Sequence, residues 1–134
     1  MPATTFLAPL RTSKELHALL NGRTGRVVAS AVELADTSAT RRRGLLGRDS
    51  LDPSAALIIV PCASIHTFFM RFTIDVVFVN REGTVLKTVS DVKPWRISIS
   101  PRSYAVVELN AGGVRRSELQ VGDRLTLCES TLRR

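Results

Sequence analysis

Most of the side chains in this chain that could do chemistry together lie in one short segment. It reads Pro61-Cys62-Ala63-Ser64-Ile65-His66-Thr67-Phe68-Phe69-Met70-Arg71-Phe72-Thr73-Ile74-Asp75. A thiol, an imidazole, a thioether, a guanidinium and a carboxylate stand there among aromatic residues. Strand alternation from Ile74 puts Asp75 on the same face as Val77 and Val79. A carboxylate on an apolar face needs a partner, because burying it unpaired costs on the order of several kcal/mol. His66, Arg71 and Arg43 are the candidates. The expectation is a centre in which the His66 imidazole and the Asp75 carboxylate turn inward toward each other beside Thr67. Arg43 or Arg48 would supply a cation and Trp95 a wall. Guanidinium groups in such a place favour a small anionic ligand such as a carboxylate or phosphate.

Three uses of this segment compete. In the first, the polar groups satisfy only one another and local amides, which fixes an irregular crossing. In the second, they converge on a small molecule. In the third, Cys62 acts as a nucleophile with His66 as its base, which requires a lowered thiol pKa and a base within hydrogen-bond reach. A spacing of four along an irregular segment does not secure that contact, and no nucleophile signature surrounds Cys62. The reading is therefore a non-catalytic binding module, ahead of a Cys62–His66 enzyme.

Glu108 stands apart from this segment. It shares a strand face with Tyr104 and Val106 beside the turn Asn110-Ala111-Gly112-Gly113. An ion pair or turn cap is expected for it, with Arg48 as a candidate partner. Glu108, Met70 and Arg41 are read as structural. A zinc site would have to gather Cys62, Cys128, His17 and His66 from distant segments, and none is expected. The chain has no Gly-rich phosphate loop, no nucleophile-elbow serine and no His-Glu-x-x-His, so no cofactor is expected.

The elements that must position these groups are mostly strands. Arg26 to Leu34, Ala56 to Val60, Ile74 to Asn80, Thr84 to Val89, Tyr104 to Leu109 and Arg124 to Cys128 carry strand patterns. Trp95, Ile97 and Ile99 alternate with Arg96, Ser98 and Ser100 as in a half-buried strand, and Trp95 is read as core or as the wall of a cleft. Arg81-Glu82-Gly83 reads as a hairpin loop. Asp36 is the expected N-cap of a helix over residues 37–46. Ser13 to Leu20 fits a helix or a strand equally, and Val114 to Leu119 suits one helical turn. About seven short strands with one short helix predict a mainly β fold with α+β decoration, a small β-sandwich or jelly-roll-like barrel. The expected organisation is an N-terminal extension over 1–25, one β-rich domain over 26–129 and a basic tail over 130–134.

With 134 residues the chain can bury a real core in one domain. Its net charge is +7, carried by 16 Arg and 3 Lys. Such a balance attracts polyanions, so weak binding to nucleic acid or an anionic surface is a further alternative. A GC-rich coding bias gives the same pattern, and the one run of three, Arg41-Arg42-Arg43, is shorter than a nucleic-acid tail. The longest apolar run, Ala55 to Val60, is too short to span a bilayer. The first residues lack the basic flank and apolar stretch of a signal peptide, so a cytoplasmic protein with reduced cysteines is expected. The ligand and the oligomeric state stay open.

Taken in order, these segments resemble a family of small bacterial and archaeal proteins, domain-of-unknown-function family 192. The likeness covers about residues 26–129. Glu33-Leu34-Ala35-Asp36-Thr37 leads into Arg41-Arg42-Arg43-Gly44-Leu45-Leu46-Gly47-Arg48, similar to the family's Arg-x-x-Gly-Leu-Met-x-Arg helix. Ile65-His66-Thr67-Phe68-Phe69-Met70 through Asp75 resembles its His-Thr branch. Tyr104 to Gly112 is similar to its Leu-Glu-Leu-x-Ala-Gly turn, and Val121-Gly122-Asp123 closes the series. Phe69 stands where Gly or Asn is usual and Thr73 where Pro is usual. The resemblance implies a bacterial protein with a compact β-rich fold, one helix across it and no established activity. The motif residues that transfer are Arg41, Arg43, Arg48, His66, Thr67, Met70, Asp75 and Glu108.

Overall fold

The computed structural model describes residues 5–12 and 17–129. The expected basic tail, and the first half of the segment from Ser13 to Leu20, lie outside them. Among the described residues the chain forms α1 (Ala8–Thr12), β1 (His17–Asn21), β2 (Val27–Ala29), β3 (Ala31–Ala35), α2 (Ser38–Arg43), β4 (Ala55–Ile59) and β5 (Ser64–His66). It continues with β6 (Ile74–Val79), β7 (Val85–Val92), β8 (Ile97–Ile99), β9 (Ala105–Asn110), α3 (Gly113–Arg116) and β10 (Leu125–Glu129). The fold is mainly β, as the pattern predicts, but it holds ten strands where seven were expected. The strands beyond the expected count include three-residue pieces such as β2 and β5, too short to show a period. The sheets are open, so the sandwich alternative fits and the barrel does not.

The central sheet runs β3-β4-β9-β6-β7, with β3 and β4 parallel and the other pairs antiparallel. A second sheet, β10-β1-β2, lies against one of its faces, and β5-β8 is a separate two-stranded ribbon. Ala56, Ile58, Val77, Val79, Val107 and Leu109 pack with Leu19, Ala29 and Leu125 of the second sheet. The alternate residues Leu57, Ile59, Ile74, Val76, Phe78 and Val106 pack with Leu45, Leu51, Ile65 and Met70 on the other side. Covering both faces explains why the apolar residues Val76 to Val79 of β6 and Ala105 to Val107 of β9 run on without alternation, since a sheet wet on one face would alternate. Each fully buried Val, Leu or Ile contributes roughly 1.5–3 kcal/mol.

Several local expectations change. The single strand expected over 26–34 breaks at Ser30, whose N–H donates to the Ser54 carbonyl at 2.9 Å. This break carries the chain from the second sheet into the central one. β1 lies in the segment expected to be an extension, yet it is the middle strand of its sheet. The α2 cap is Thr37 rather than Asp36. The Thr37 hydroxyl accepts from the Thr40 N–H at 3.1 Å and the Thr40 hydroxyl from the Thr37 N–H at 3.0 Å, a reciprocal box. The helix is six residues long because Gly44, at φ 48°, leaves helical geometry. Trp95, Ile97 and Ile99 face outward, and Ser100 is the buried residue. Alternation gave the period of that strand but not its phase. The chain reaches β8 through two left-handed residues, Asp91 near the end of β7 and Trp95 before β8, at φ of 56° and 68°.

Asp75 ties three parts of this fold together. It is fully buried on the face of β6 shared with Val77 and Val79. One carboxylate oxygen accepts from the Asp91 N–H at 3.0 Å. The other accepts from the N–H groups of Gly112 at 3.2 Å and Val114 at 3.0 Å. The β6–β7 register irregularity and the turn into α3 are thus pinned to one side chain. Replacing it leaves three amide donors without an acceptor, each costing about 1–3 kcal/mol when buried. Asp75→Ala is expected to lower unfolding free energy by about 2–4 kcal/mol in urea denaturation, less than the sum because the turn relaxes. A change within about 0.5 kcal/mol, the range of an ordinary surface substitution, would refute this role.

Candidate functional site

A cavity of about 410 Å³ opens between the end of α2 and the segment from β4 to β5. That lies at the small end of ligand pockets, which run roughly 300–1,000 Å³. Arg41, Arg42, Arg43 and His66 stand at its mouth, and Leu45, Leu46, Ile59, Ile65 and Met70 form apolar walls. Cys62 lines one side and Glu108 lies at the floor.

Each wall follows from local structure. The last turn of α2 carries the three arginines, where cations complement the carbonyl end of a helix. Gly44 then turns the chain so that Leu45 enters the core at 2% exposure. The Arg41 guanidinium donates to the Asp36 carbonyl at 3.0 Å, which holds it along the helix. Among the described residues neither the Arg42 nor the Arg43 guanidinium has a hydrogen bond or ion pair. Opposite, β5 pairs with β8, so that His66 faces Ile97 in the ladder and remains exposed. Its ring stacks on Phe68 at 4.8 Å.

Glu108 occupies the middle strand of the central sheet, opposite Leu57 of β4 and Val76 of β6. Both neighbours are buried, and Glu108 itself is 4% exposed. Its Oε1 has no hydrogen-bond partner. Burial lifts its carboxyl to about 7, against the opposing pull of the Arg48 charge. Arg48 itself is engaged elsewhere, donating to both carboxylate oxygens of Glu33 at 3.0 and 2.9 Å. The ion pair or cap expected for Glu108 is therefore not made.

Several of the expected partners are brought together and others are not. His66, Arg43, Arg41, Met70, Cys62 and Glu108 share the cavity. Asp75 lies on the opposite face of the central sheet, spent on three backbone amides, so His66 and Asp75 do not meet. Thr67 is fully buried and also works for the backbone. Its hydroxyl donates to the Lys93 carbonyl at 2.6 Å and accepts from the Arg96 N–H at 2.9 Å, which anchors the approach to β8. Arg71 pairs with Asp49 at 2.8 Å. Trp95 is 55% exposed, stacks on Phe68 and meets the Phe69 ring at a tilt, away from the cavity. Cys62 makes no hydrogen bond to His66 among the described residues. Its thiol donates to the Ser64 carbonyl at 3.0 Å. Burial pushes the thiol up, with the nearby Glu108 carboxylate adding to it and the Ser64 contact and the Arg41 charge opposing.

With the geometry in place, the comparisons define the class. The chain is built like other small β-rich proteins of one uncharacterised family, and it belongs to DUF192, described as "Uncharacterized ACR, COG1430", which matches residues 19–127. A UPF0127 protein of Pyrococcus abyssi is 37% identical over 101 residues, covering 70% of this chain and 83% of that one. A UPF0127 protein of Pyrococcus furiosus is 35% identical over 114 residues, covering 80% and 95%. Among solved structures, a protein of unknown function from Novosphingobium aromaticivorans superposes with a TM-score of 0.71 at 23% identity, covering 81% of each chain. A protein from Sinorhizobium meliloti, which its description proposes as a transcription regulator, gives 0.73 at 25%, covering 93% and 96%. No helix among the described residues is long and apolar enough to cross a membrane.

Two measurements follow from the site. The unfolded chain releases the Glu108 proton near its ordinary value of 4.5 and the folded chain near 7. Between those values the folded state holds the extra proton, so this group's contribution to stability falls as pH rises through the window, by about 3 kcal/mol. Glu108→Gln removes the titration, so the variant should gain about 3 kcal/mol on wild type between pH 4.5 and about pH 8. Parallel stability–pH curves would contradict it. Second, Cys62 in a Cys128→Ser background should react with iodoacetamide near neutral pH at least about tenfold more slowly than in the urea-unfolded chain. Faster reaction in the folded chain, lost in His66→Ala, would instead establish a Cys62–His66 nucleophile.

Proposed function

We propose that this protein is a non-catalytic binding module for a small anionic molecule. The ligand's negative group would sit at the cavity mouth against Arg42, Arg43 and His66, with Arg41 behind them and the apolar walls taking its body. The observation that carries this reading is the pair Arg42 and Arg43. Both line the cavity, yet neither guanidinium has an acidic partner among the described residues. Guanidinium groups there offer forked donors matched to carboxylate or phosphate. The net charge of +7 draws anions toward the surface from beyond contact distance. Of the residues first assigned to the ligand, Thr67 and Asp75 shape the scaffold, while Arg48 and Trp95 stand outside the cavity.

Propyl phosphate tests this directly. In excess over its dissociation constant it is expected to raise the melting temperature by about 3 °C relative to sodium chloride of equal ionic strength. Arg42→Gln combined with Arg43→Gln should abolish the shift, and Arg102→Gln should leave it intact. Equal shifts in wild type and the double variant would remove the arginines from any site. Retention of DNA or RNA that collapses steeply with salt, with no response to propyl phosphate, would assign the charge to nucleic acid instead.

A further inference from the structure

The mouth of the cavity accounts for an anion, but its floor asks for something else. Glu108 is an acid set beneath a rim of cations, and it pairs with none of them. Its Oε1 is buried and without a partner. An acceptor left so costs about 1–3 kcal/mol, and more when the group is charged. The contrast with Asp75 is informative. That carboxylate sits in an equally dry place on the other face of the same sheet, and three amides satisfy it. The fold therefore can saturate an interior acid. At Glu108 it leaves Oε1 without a partner, on a residue that lines the cavity.

We propose that Glu108 Oε1 accepts a hydrogen bond from a hydroxyl of the bound anion, so that the ligand is a short hydroxylated phosphate or carboxylate rather than a simple alkyl one. This rests on the anion-binding reading of the same cavity and adds the chemistry of the ligand's other end. The apolar walls between rim and floor suit a carbon chain of a few atoms. A site built to receive a hydroxyl discriminates strongly against the analogue that lacks it, because the buried acceptor is then left bare. Accepting that bond favours the ionised carboxyl, so binding near neutral pH should drive a proton off Glu108 into the buffer. The other groups facing this carboxyl are Arg48 beside it, Arg41, Arg42 and Arg43 on α2, and Cys62 and His66 on the β4–β5 side.

The experiment compares glycerol 3-phosphate with propyl phosphate by isothermal titration calorimetry. The two share the phosphate and the three-carbon chain and differ in the hydroxyls. Wild type should bind glycerol 3-phosphate at least about tenfold more tightly. Runs in two buffers of different ionisation enthalpy should show net proton release that persists in His66→Ala. Glu108→Leu should bring the two dissociation constants together by weakening glycerol 3-phosphate alone, and Glu108→Gln, which keeps an acceptor oxygen, should retain part of the preference without the proton release. Equal affinity for both phosphates in wild type would overturn the role of Glu108 while leaving the anion site standing. Binding of neither would overturn the anion site, and this inference with it. The wild-type comparison decides the matter even if a variant fails to fold.

Discussion

Both faces of the central five-stranded sheet are covered, and every polar side chain on its inner strands must answer to that. Two carboxylates sit there. Asp75 faces the second sheet and Glu108 faces the cavity under α2. In so dry a place an acid is paired, protonated or waiting for a partner. Asp75 takes the first course, through amides supplied by the β6–β7 irregularity and the turn into α3. Glu108 has no such amides within reach, because its neighbours across β4 and β6 are Leu57 and Val76, whose backbone groups already serve the ladder. The same architecture thus produces one structural acid and one unsatisfied acid from similar strand positions.

The surroundings of Glu108 turn that into a site. A short helix ending at Gly44 delivers three arginines to a single rim. Pairing of β5 with β8 sets His66 opposite them. Thr67 stiffens this side by bonding to backbone on both sides of the turn before β8. Arg48, which would otherwise neutralise Glu108, is held by two hydrogen bonds to Glu33. Cations at the mouth, an apolar middle and an acceptor at the base are a polarity gradient that a chain with an anionic head and a hydroxylated tail would match. The half-buried Cys62 thiol, pushed up by desolvation, lines the wall and makes no hydrogen bond to His66 among the described residues.

Much of the fold was legible in the sequence because burial leaves a period or an apolar run. β4, β6, β9 and β10 declare themselves through valine, isoleucine and leucine. The three-residue strands do not, since three residues carry no period, and ladder partners distant in sequence decide them. The phase of β8 was hidden for a related reason. Alternation of Ile97 and Ile99 with serine is the same pattern whichever face is wet, and the chain reaches it through the left-handed residues Asp91 and Trp95. At the site, the sequence rightly marked Asp75 as a buried acid needing a partner. It looked for that partner among cationic side chains, because backbone amides leave no trace in composition. Glu108 was visible as a carboxylate on an apolar strand. What was not visible is that Arg48 goes to Glu33, a choice made by α2 and the loop after it.

The ionisation state of the Glu108 carboxyl separates a dry, unpartnered acid from an ordinary one. Titration of its side-chain carboxyl ¹³C resonance by NMR, assigned through Glu108→Gln, reads that state without reference to any ligand. A midpoint near 7 is the result this structure requires. A midpoint near the ordinary 4.5 would mean that Oε1 already has a partner or meets water, and the cavity would lose the feature that distinguishes it.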